Sequence, residues 1–222
     1  MKQLYLKELK LNVKPVAYIF SLFALMLLIP NYPIVVGVGY SMMQVHLYMQ
    51  FMRENRSLEF STTLPVKRKD IVTSTTLVIV TLQMMTTFVA AVCAVVVRIA
   101  ALMGSSVYAS GNLVGMDATF TFFGVMLVCL AAFNFIFITQ FWKTGYKYGT
   151  ILLIGVLVYC VIYVMLELVI QLVPALRNAL DGYQTKTIWA RLVVLAVGVV
   201  AYVTSTLLAN RLAQKKFEKV SL

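Results

Sequence analysis

The chain has 222 residues, of which 61% are apolar and only 12% are charged. A soluble domain needs about 25% charged residues to cover its surface, so this composition excludes a soluble enzyme. The formal net charge is +11, but the basic residues lie in short segments between apolar runs. That placement is typical of topology determination and of contact with anionic lipid, and it does not indicate nucleic-acid binding.

Six apolar runs predict membrane-spanning helices, since a helix of about 20 residues crosses the bilayer. These runs cover approximately residues 15–29, 34–52, 71–97, 118–141, 148–173 and 188–210. The first two are joined by a tight turn from Pro30 to Pro33, because each proline removes a backbone donor and restricts its neighbour. We therefore expect residues 1–222 to form a single all-α transmembrane domain.

The N-terminal segment, residues 1–14, alternates leucines with lysines. Leu4 and Leu11 can share one side of a helix, with Lys7 and Lys10 on another. This pattern predicts a short helix that lies on the membrane surface.

The segment between the fifth and sixth spans, residues 173–187, is too polar to cross the membrane. Its stretch from Ala175 to Leu180 predicts a second short surface helix, on the outer side.

Lysines and arginines are unevenly divided between the two sides of the predicted bundle. With the N-terminus in the cytoplasm, the outer segments hold only four of the 19: Arg98, Arg177, Lys186 and Arg191. The positive-inside rule supports this orientation, and an even number of spans then places both termini in the cytoplasm.

The sequence has no recognisable catalytic set. There is no glycine-rich loop ending in Gly-Lys-Ser or Gly-Lys-Thr, so if ATP drives this protein, another chain binds it. No carboxylates are paired at a helical spacing inside a span, which leaves hydrolysis unsupported. The cysteines Cys93, Cys129 and Cys160 lack the spacing of a zinc site and are predicted to be small packing residues.

Several polar residues lie inside the predicted spans, where small and polar side chains let helices approach and hydrogen-bond. Two alternatives stay open for them: packing within one subunit, or a cargo pathway or dimer interface. The candidates for the second role are Ser41, Gln44, His46, Tyr48, Gln83, Tyr159, Tyr163 and Glu167.

The segment between the second and third spans, residues 53–71, carries apolar residues among many charges. Leu58, Phe60 and Leu64 predict an amphipathic helix, which Pro65 would end. Such a helix either docks into a groove of a partner protein or lies on lipid.

This segment resembles the cytoplasmic segment of ABC type 2 permeases, the membrane subunits of ATP-driven bacterial exporters. The residues that carry the likeness are Glu54, Glu59 and the run Leu64-Pro65-Val66-Lys67-Arg68-Lys69-Asp70-Ile71-Val72. In that family, a Leu-Pro-Val-x-Arg-x-x-Ile-Val pattern closes a coupling helix that contacts the ATPase subunit. The start, Lys7-Glu8-Leu9-Lys10-Leu11, is similar to the family's amphipathic elbow helix. Thr75 departs from the family, which often has a lysine there.

The resemblance implies a fold of six transmembrane helices with an elbow helix, a coupling helix between spans two and three, and a short outer helix. It implies a homodimer in the bacterial plasma membrane, with two ATPase subunits that bind ATP and Mg. It also implies ATPase-coupling roles for Glu54, Leu58, Glu59, Phe60, Leu64, Pro65 and Arg68.

Small permeases of this kind resemble exporters of amphipathic or antimicrobial peptides, including phenol-soluble modulins. The alternative function is an ion-gradient-driven secondary transporter of a small hydrophobic solute, which would favour inverted repeats and charged groups at the midplane.

Overall fold

The computed structural model describes residues 2–105, 108, 112, 114–144, 147–182 and 187–218. Across these residues the chain is all-helical, as the sequence predicts. In chain order the helices are α1 (Lys2–Asn12), α2 (Pro15–Leu22), a 3-10 helix (Phe23–Leu28), α3 (Ile34–Gly39), α4 (Ser41–Glu54), α5 (Ser57–Thr63), α6 (Arg68–Leu102), α7 (Phe120–Thr144), α8 (Gly149–Leu172), α9 (Pro174–Leu180) and α10 (Ile188–Phe217).

Within the described part of the chain, four helices are long and apolar enough to cross a membrane: α6, α7, α8 and α10. These four candidate spans lie where the third to sixth spans are predicted. In the most apolar stretch of α7, 72% of the residues are buried inside the protein. In the corresponding stretches of the other three helices, 22% of the residues are buried. Helix α7 is therefore the centre of the bundle, and the other three present apolar surface to lipid.

The regions predicted as the first two spans are helical but interrupted. Helix α2 passes directly into the 3-10 helix, and α3 breaks at Tyr40 before α4 begins. Asn31 adopts a left-handed conformation, φ 57°, in the turn between the two arms. A Cβ at Gly37 would lie 3.0 Å from the carbonyl oxygen of Phe23, so glycine lets the arms approach closely.

Helix α1 does not continue into the first arm of this hairpin. Its axis is bent by 85° from the helical stretch that starts at Pro15. The buried residues of α1 are Leu4, Glu8 and Asn12, while Leu11 is 40% exposed. The buried face is therefore more polar than the predicted one, and it packs on α4 and α6.

Helix α6 is longer than predicted at both ends. The expected boundaries, 71–97, leave Arg98 in a loop, and this is wrong because the helix runs to Leu102. Gly104, at φ 90°, follows its end. At the start, Asp70 lies in the first turn, where a negative charge is favourable. A helix of 35 residues is about 52 Å long, so α6 connects both ends of the bundle.

The remaining surface segments also form helices. Helix α9 confirms the short helix predicted from Ala175 to Leu180. Helix α10 continues beyond its predicted end near residue 210 as far as Phe217. The ring of Phe217 packs edge-on at 4.6 Å against the buried Trp142 of α7, which holds this extension against the bundle.

Helices α7 and α10 share the most extensive helix–helix contact. A Cβ at Gly124 would lie 2.6 Å from the carbonyl oxygen of Val194, so the two backbones touch there. Gly198 faces Gly124 across the same contact. Small residues permit this close approach, which is a main source of helix association in lipid.

Candidate functional site

Helix α5 is positioned by the chain turns on either side of it. Arg56 has φ 46°, a left-handed conformation that redirects the chain after α4. Leu64 is extended, as a residue before proline favours, and Pro65 prevents the helix from continuing. A helix is present in this segment, as the sequence predicts, and it ends before Pro65.

Helix α5 has one buried and one exposed face. Ser57, Leu58 and Ser61 are each 1% exposed. Phe60 is 54% exposed, and Glu59 is exposed beside it. The face of α5 that packs against the rest of the protein is therefore mostly polar, and the exposed face carries Phe60.

Five polar side chains of α1 and α5 form a hydrogen-bonded cluster, here named the α1–α5 cluster: Lys7, Glu8, Asn12, Ser57 and Ser61. At its centre is Glu8, which is only 2% exposed. Its carboxylate accepts hydrogen bonds from Asn12 Nδ2 at 2.6 Å and from Ser57 Oγ at 3.1 Å. A buried carboxylate requires such donors, because an unpaired buried charge is strongly unfavourable.

Lys7 provides the opposite charge. Its Nζ lies 3.0 Å from Glu8 Oε1 and donates to Ser61 Oγ at 2.6 Å and to Ser57 Oγ at 3.1 Å. The same ammonium group is 5.3 Å from the centre of the Phe60 ring, within cation–π range. Lys7 therefore contacts both faces of α5.

The cluster is connected to neighbouring helices. Tyr48 OH of α4 donates to Glu8 Oε2 at 3.1 Å, and Asn55 Nδ2 donates to Asn12 Oδ1 at 3.1 Å. Tyr5 OH of α1 and Thr81 Oγ1 of α6 are hydrogen-bonded at 2.8 Å. Helix α1 thus links α5 to both α4 and α6.

Leu58, which is expected to contact a partner protein, is not exposed. The sequence pattern predicts Leu58 as an exposed apolar residue, and this is wrong because it is buried in the chain's own core. Phe60 and Pro65 are exposed, and Leu64 is half-buried. Of the two large apolar residues of α5, Leu58 is buried and Phe60 is exposed.

The charged residues of the same region lie at the surface. Glu54 is exposed and accepts a hydrogen bond from Gln50 Nε2 at 2.9 Å. The guanidinium of Arg68 donates to the carbonyl oxygen of Phe217 at 3.3 Å and lies 5.6 Å from its ring. Arg68 therefore ties the start of α6 to the end of α10.

A second polar cluster lies in the middle of the bundle. Gln83 of α6 and Asn134 of α7 exchange two amide hydrogen bonds, at 2.8 and 2.9 Å. Tyr202 OH donates to Gln83 Oε1 at 2.7 Å, and Asn134 Nδ2 donates to Thr206 Oγ1 at 3.2 Å. Gln83 is fully buried here, so in this chain it joins three helices.

The polar stripe of α4 is also buried within the chain. Ser41, Gln44 and Tyr48 have no exposed surface, and Gln44 Oε1 accepts a hydrogen bond from Thr86 Oγ1 at 3.1 Å. His46, on another side of α4, is half-buried, and its ring centre lies 5.6 Å from that of Tyr148. Three of these residues pack inside the subunit, and His46 contacts the start of α8.

The stripe predicted on the fifth span lies partly inside the bundle. Tyr159 and Tyr163 are buried, at 3% and 5% exposed. Glu167 is half-buried, and its Oε1 accepts a hydrogen bond from the backbone N–H of Met116 at 3.2 Å. Glu167 therefore holds the loop before α7 against α8.

A further acid, Asp117, lies in that loop. Burial raises its pKa, while the N–H of Asn112, which donates to Oδ1 at 2.6 Å, opposes the rise. Asp181 also raises the pKa of Asp117, whereas Arg191 and Arg98 lower it. Among the described residues, no group of three or more acids, histidines and cysteines is arranged to hold a metal ion.

The comparisons with known proteins agree with this architecture. The family model described as ABC-2 family transporter protein matches residues 3–214. The chain belongs to this family. No curated protein and no solved structure matches it. The chain is therefore a multi-pass permease subunit of an ABC transporter, and its family implies an ABC ATPase as partner.

In this ABC-2 permease, the family match includes all four long helices and the whole α1–α5 cluster. The sequence predicts a helix at α5, but it does not indicate that Lys7 and Glu8 form hydrogen bonds with Ser57 and Ser61. The single available signal was Glu8 itself, an acid among leucines and lysines on the helix predicted to lie on the membrane.

Proposed function

We propose that this permease is the membrane subunit of an ATP-driven exporter and that α5 contacts the ATPase. Two copies of the chain would pair with two ATPase subunits, which bind ATP and Mg. Closure of the ATPases would move α5, and the motion would pass to the spans. The observation that carries the proposal is a short helix with an exposed aromatic residue, joined to α1 by an ion pair whose carboxylate is buried.

The exposed face of α5 suits a protein partner. Phe60 is 54% exposed on a helix whose remaining apolar residue, Leu58, is already buried. Aromatic residues are enriched among the residues that dominate binding energy at interfaces. Lys67 and Lys69, both exposed, follow α5 and can contact acidic groups of a partner or lipid headgroups.

The α1–α5 cluster provides a mechanical connection. A displacement of α5 moves Ser57 and Ser61, which are hydrogen-bonded to Glu8 and Lys7 of α1. Helix α1 is in turn joined to α6 through Tyr5. Because α6 runs the length of the bundle, a force on α5 can reach its other end.

The proposal includes a topology of six spans with both termini in the cytoplasm of a bacterial cell. The interrupted hairpin formed by α2, the 3-10 helix, α3 and α4 would supply the first two spans. Helix α1 would be the elbow helix and α5 the coupling helix. The resemblance to peptide-exporting permeases supports an amphipathic peptide or another hydrophobic molecule as cargo.

The proposal is tested by co-expression with a candidate ABC ATPase. The Phe60→Asp variant should fail to co-purify with that ATPase, because a carboxylate would enter an apolar contact. The matched control is Met103→Asp, since Met103 is 83% exposed just after the opposite end of α6. An ATPase that binds Phe60→Asp as well as the unchanged chain would refute the role of α5.

A second measurement separates this function from ion-driven transport. An ATPase variant that binds but cannot hydrolyse ATP should abolish export by the complex. Export that continues with this variant and stops when the ion gradient is dissipated would support a secondary transporter instead.

A further inference from the structure

A cavity of about 600 Å³ lies between α6, α7 and α10. It is at the end of α6 opposite to α5, since it reaches Arg98 and Ile99 near the last turn of that helix. Its size falls within the range of ordinary small-molecule sites, about 300–1,000 Å³. We name it the arginine groove, after Arg98 and Arg191, which line it.

Most of the groove is apolar and open to the side. Ala94 and Leu127 form buried parts of its wall, each 7% exposed. Val95, Ile99 and Phe120 line it as well and are 58%, 51% and 46% exposed. A chain from the surrounding bilayer can therefore enter between the helices without crossing a polar surface.

The charged groups of the lining lie at one end of the groove. Among the described residues that line the groove, Arg98 and Arg191 are cationic and none is acidic. Arg191 is 4% exposed and is held by bonds to the Ala179 carbonyl oxygen at 3.3 Å and to Thr187 Oγ1 at 2.7 Å. These contacts fix its charge in place beside the groove.

A buried hydroxyl group adds a second indication. Thr119 lines the groove, is 6% exposed, and its Oγ1 has no hydrogen-bond partner in the protein. A buried hydroxyl without a partner is unfavourable, so a ligand oxygen here would satisfy it. Asp117 lies near both arginines and offsets part of their charge, because the hydrogen bond from the Asn112 N–H engages only one of its two carboxylate oxygens.

We propose that the arginine groove binds an anionic phospholipid of the bilayer. One acyl chain would lie along the apolar wall formed by α6 and α7. The phosphate would lie at the helix ends, against Arg98 and Arg191, with Thr119 donating to a phosphate oxygen. Arg191 lies in the first turn of α10 and Arg98 lies four residues before the end of α6, close to the depth where headgroups are found.

The test uses the fluorescence of Trp189, which is 76% exposed in the first turn of α10, next to the groove. The other tryptophan, Trp142, is buried. The full chain is placed in phosphatidylcholine bilayers that contain a minor share of brominated phosphatidylglycerol. Brominated phosphatidylcholine is the reference quencher. With Asp117 set against the two arginines, one net positive charge predicts roughly a fivefold preference for the anionic lipid.

Two pairs of variants distinguish the groove from general attraction to a basic protein. Arg98→Gln should reduce the preference about fivefold, whereas Arg177→Gln, an exposed arginine of α9 outside the lining, should leave it unchanged. Ala91→Phe, which fills the groove, should also reduce it, and Val92→Phe, on the lipid-facing side of α6, should not. Equal quenching by the two lipids, or equal effects within either pair, would overturn the proposal.

Discussion

Replacing Glu8 with alanine should release α5 from the bundle. Glu8 accepts hydrogen bonds from four side chains, Lys7, Asn12, Tyr48 and Ser57, and all would lose their shared acceptor. Leaving buried donors such as the Asn12 amide and the Ser57 hydroxyl without this acceptor costs about 1–3 kcal/mol, whereas Lys7, whose side chain is 20% exposed, can turn to water. If that cost is borne by the packing of α5 on the bundle, the amide exchange of α5 should accelerate roughly 10- to 100-fold.

Hydrogen exchange of the purified permease, followed by mass spectrometry of peptides from Ser57–Thr63, measures this directly. The matched control is Glu54→Ala, since Glu54 is an exposed acid in the last turn of α4 with one hydrogen bond from Gln50. Exchange that rises no more in Glu8→Ala than in Glu54→Ala would refute the role of the cluster.

Three further predictions concern stability, measured as thermal unfolding in detergent. Gly124→Ala should destabilise the permease by about 1–3 kcal/mol, since its Cβ would overlap the backbone of α10, and Gly149→Ala, with open space around it, should not. Asn134→Leu should cost about 1–3 kcal/mol by leaving the Gln83 amide without its partner, and a neutral result would contradict the amide cluster. Because burial raises the pKa of Asp117, the folded chain binds the carboxyl proton more tightly than the unfolded chain does. Stability should therefore fall as the pH rises from 3.8 through the raised pKa. Asp117→Asn should remove this pH dependence.

The long helices could be predicted from the sequence because each is an apolar run with polar or proline-rich ends. The end of α5 was equally predictable, since Pro65 cannot continue a helix. The length of α6 was not, because Arg98 resembles a loop residue until the neighbouring helices that surround it are known. The interruption at Tyr40 also depends on the packing of the hairpin, which the sequence of that segment does not reveal.

The polar contacts were harder to predict than the helices. Periodicity placed Gln83 on a polar stripe, but it could not identify Asn134 as its partner on another helix. The sequence places Lys7 on a basic side of a surface helix, but it does not show that α5 packs over Lys7 and Glu8. Leu58 and Phe60 are both apolar residues of one short helix, and only the position of α1 decides which of them is buried.

The central claim is that α5 faces the cytoplasm, where an ATPase can reach it. Thr63 is exposed at the end of α5, and Met103 is exposed beyond the far end of α6. Each is replaced by cysteine in a background that carries Cys160→Ser, since Cys160 is exposed and would also react. A membrane-impermeant maleimide should label Thr63→Cys only after the cells are permeabilised and should label Met103→Cys in intact cells. Labelling of Thr63→Cys in intact cells would contradict the account.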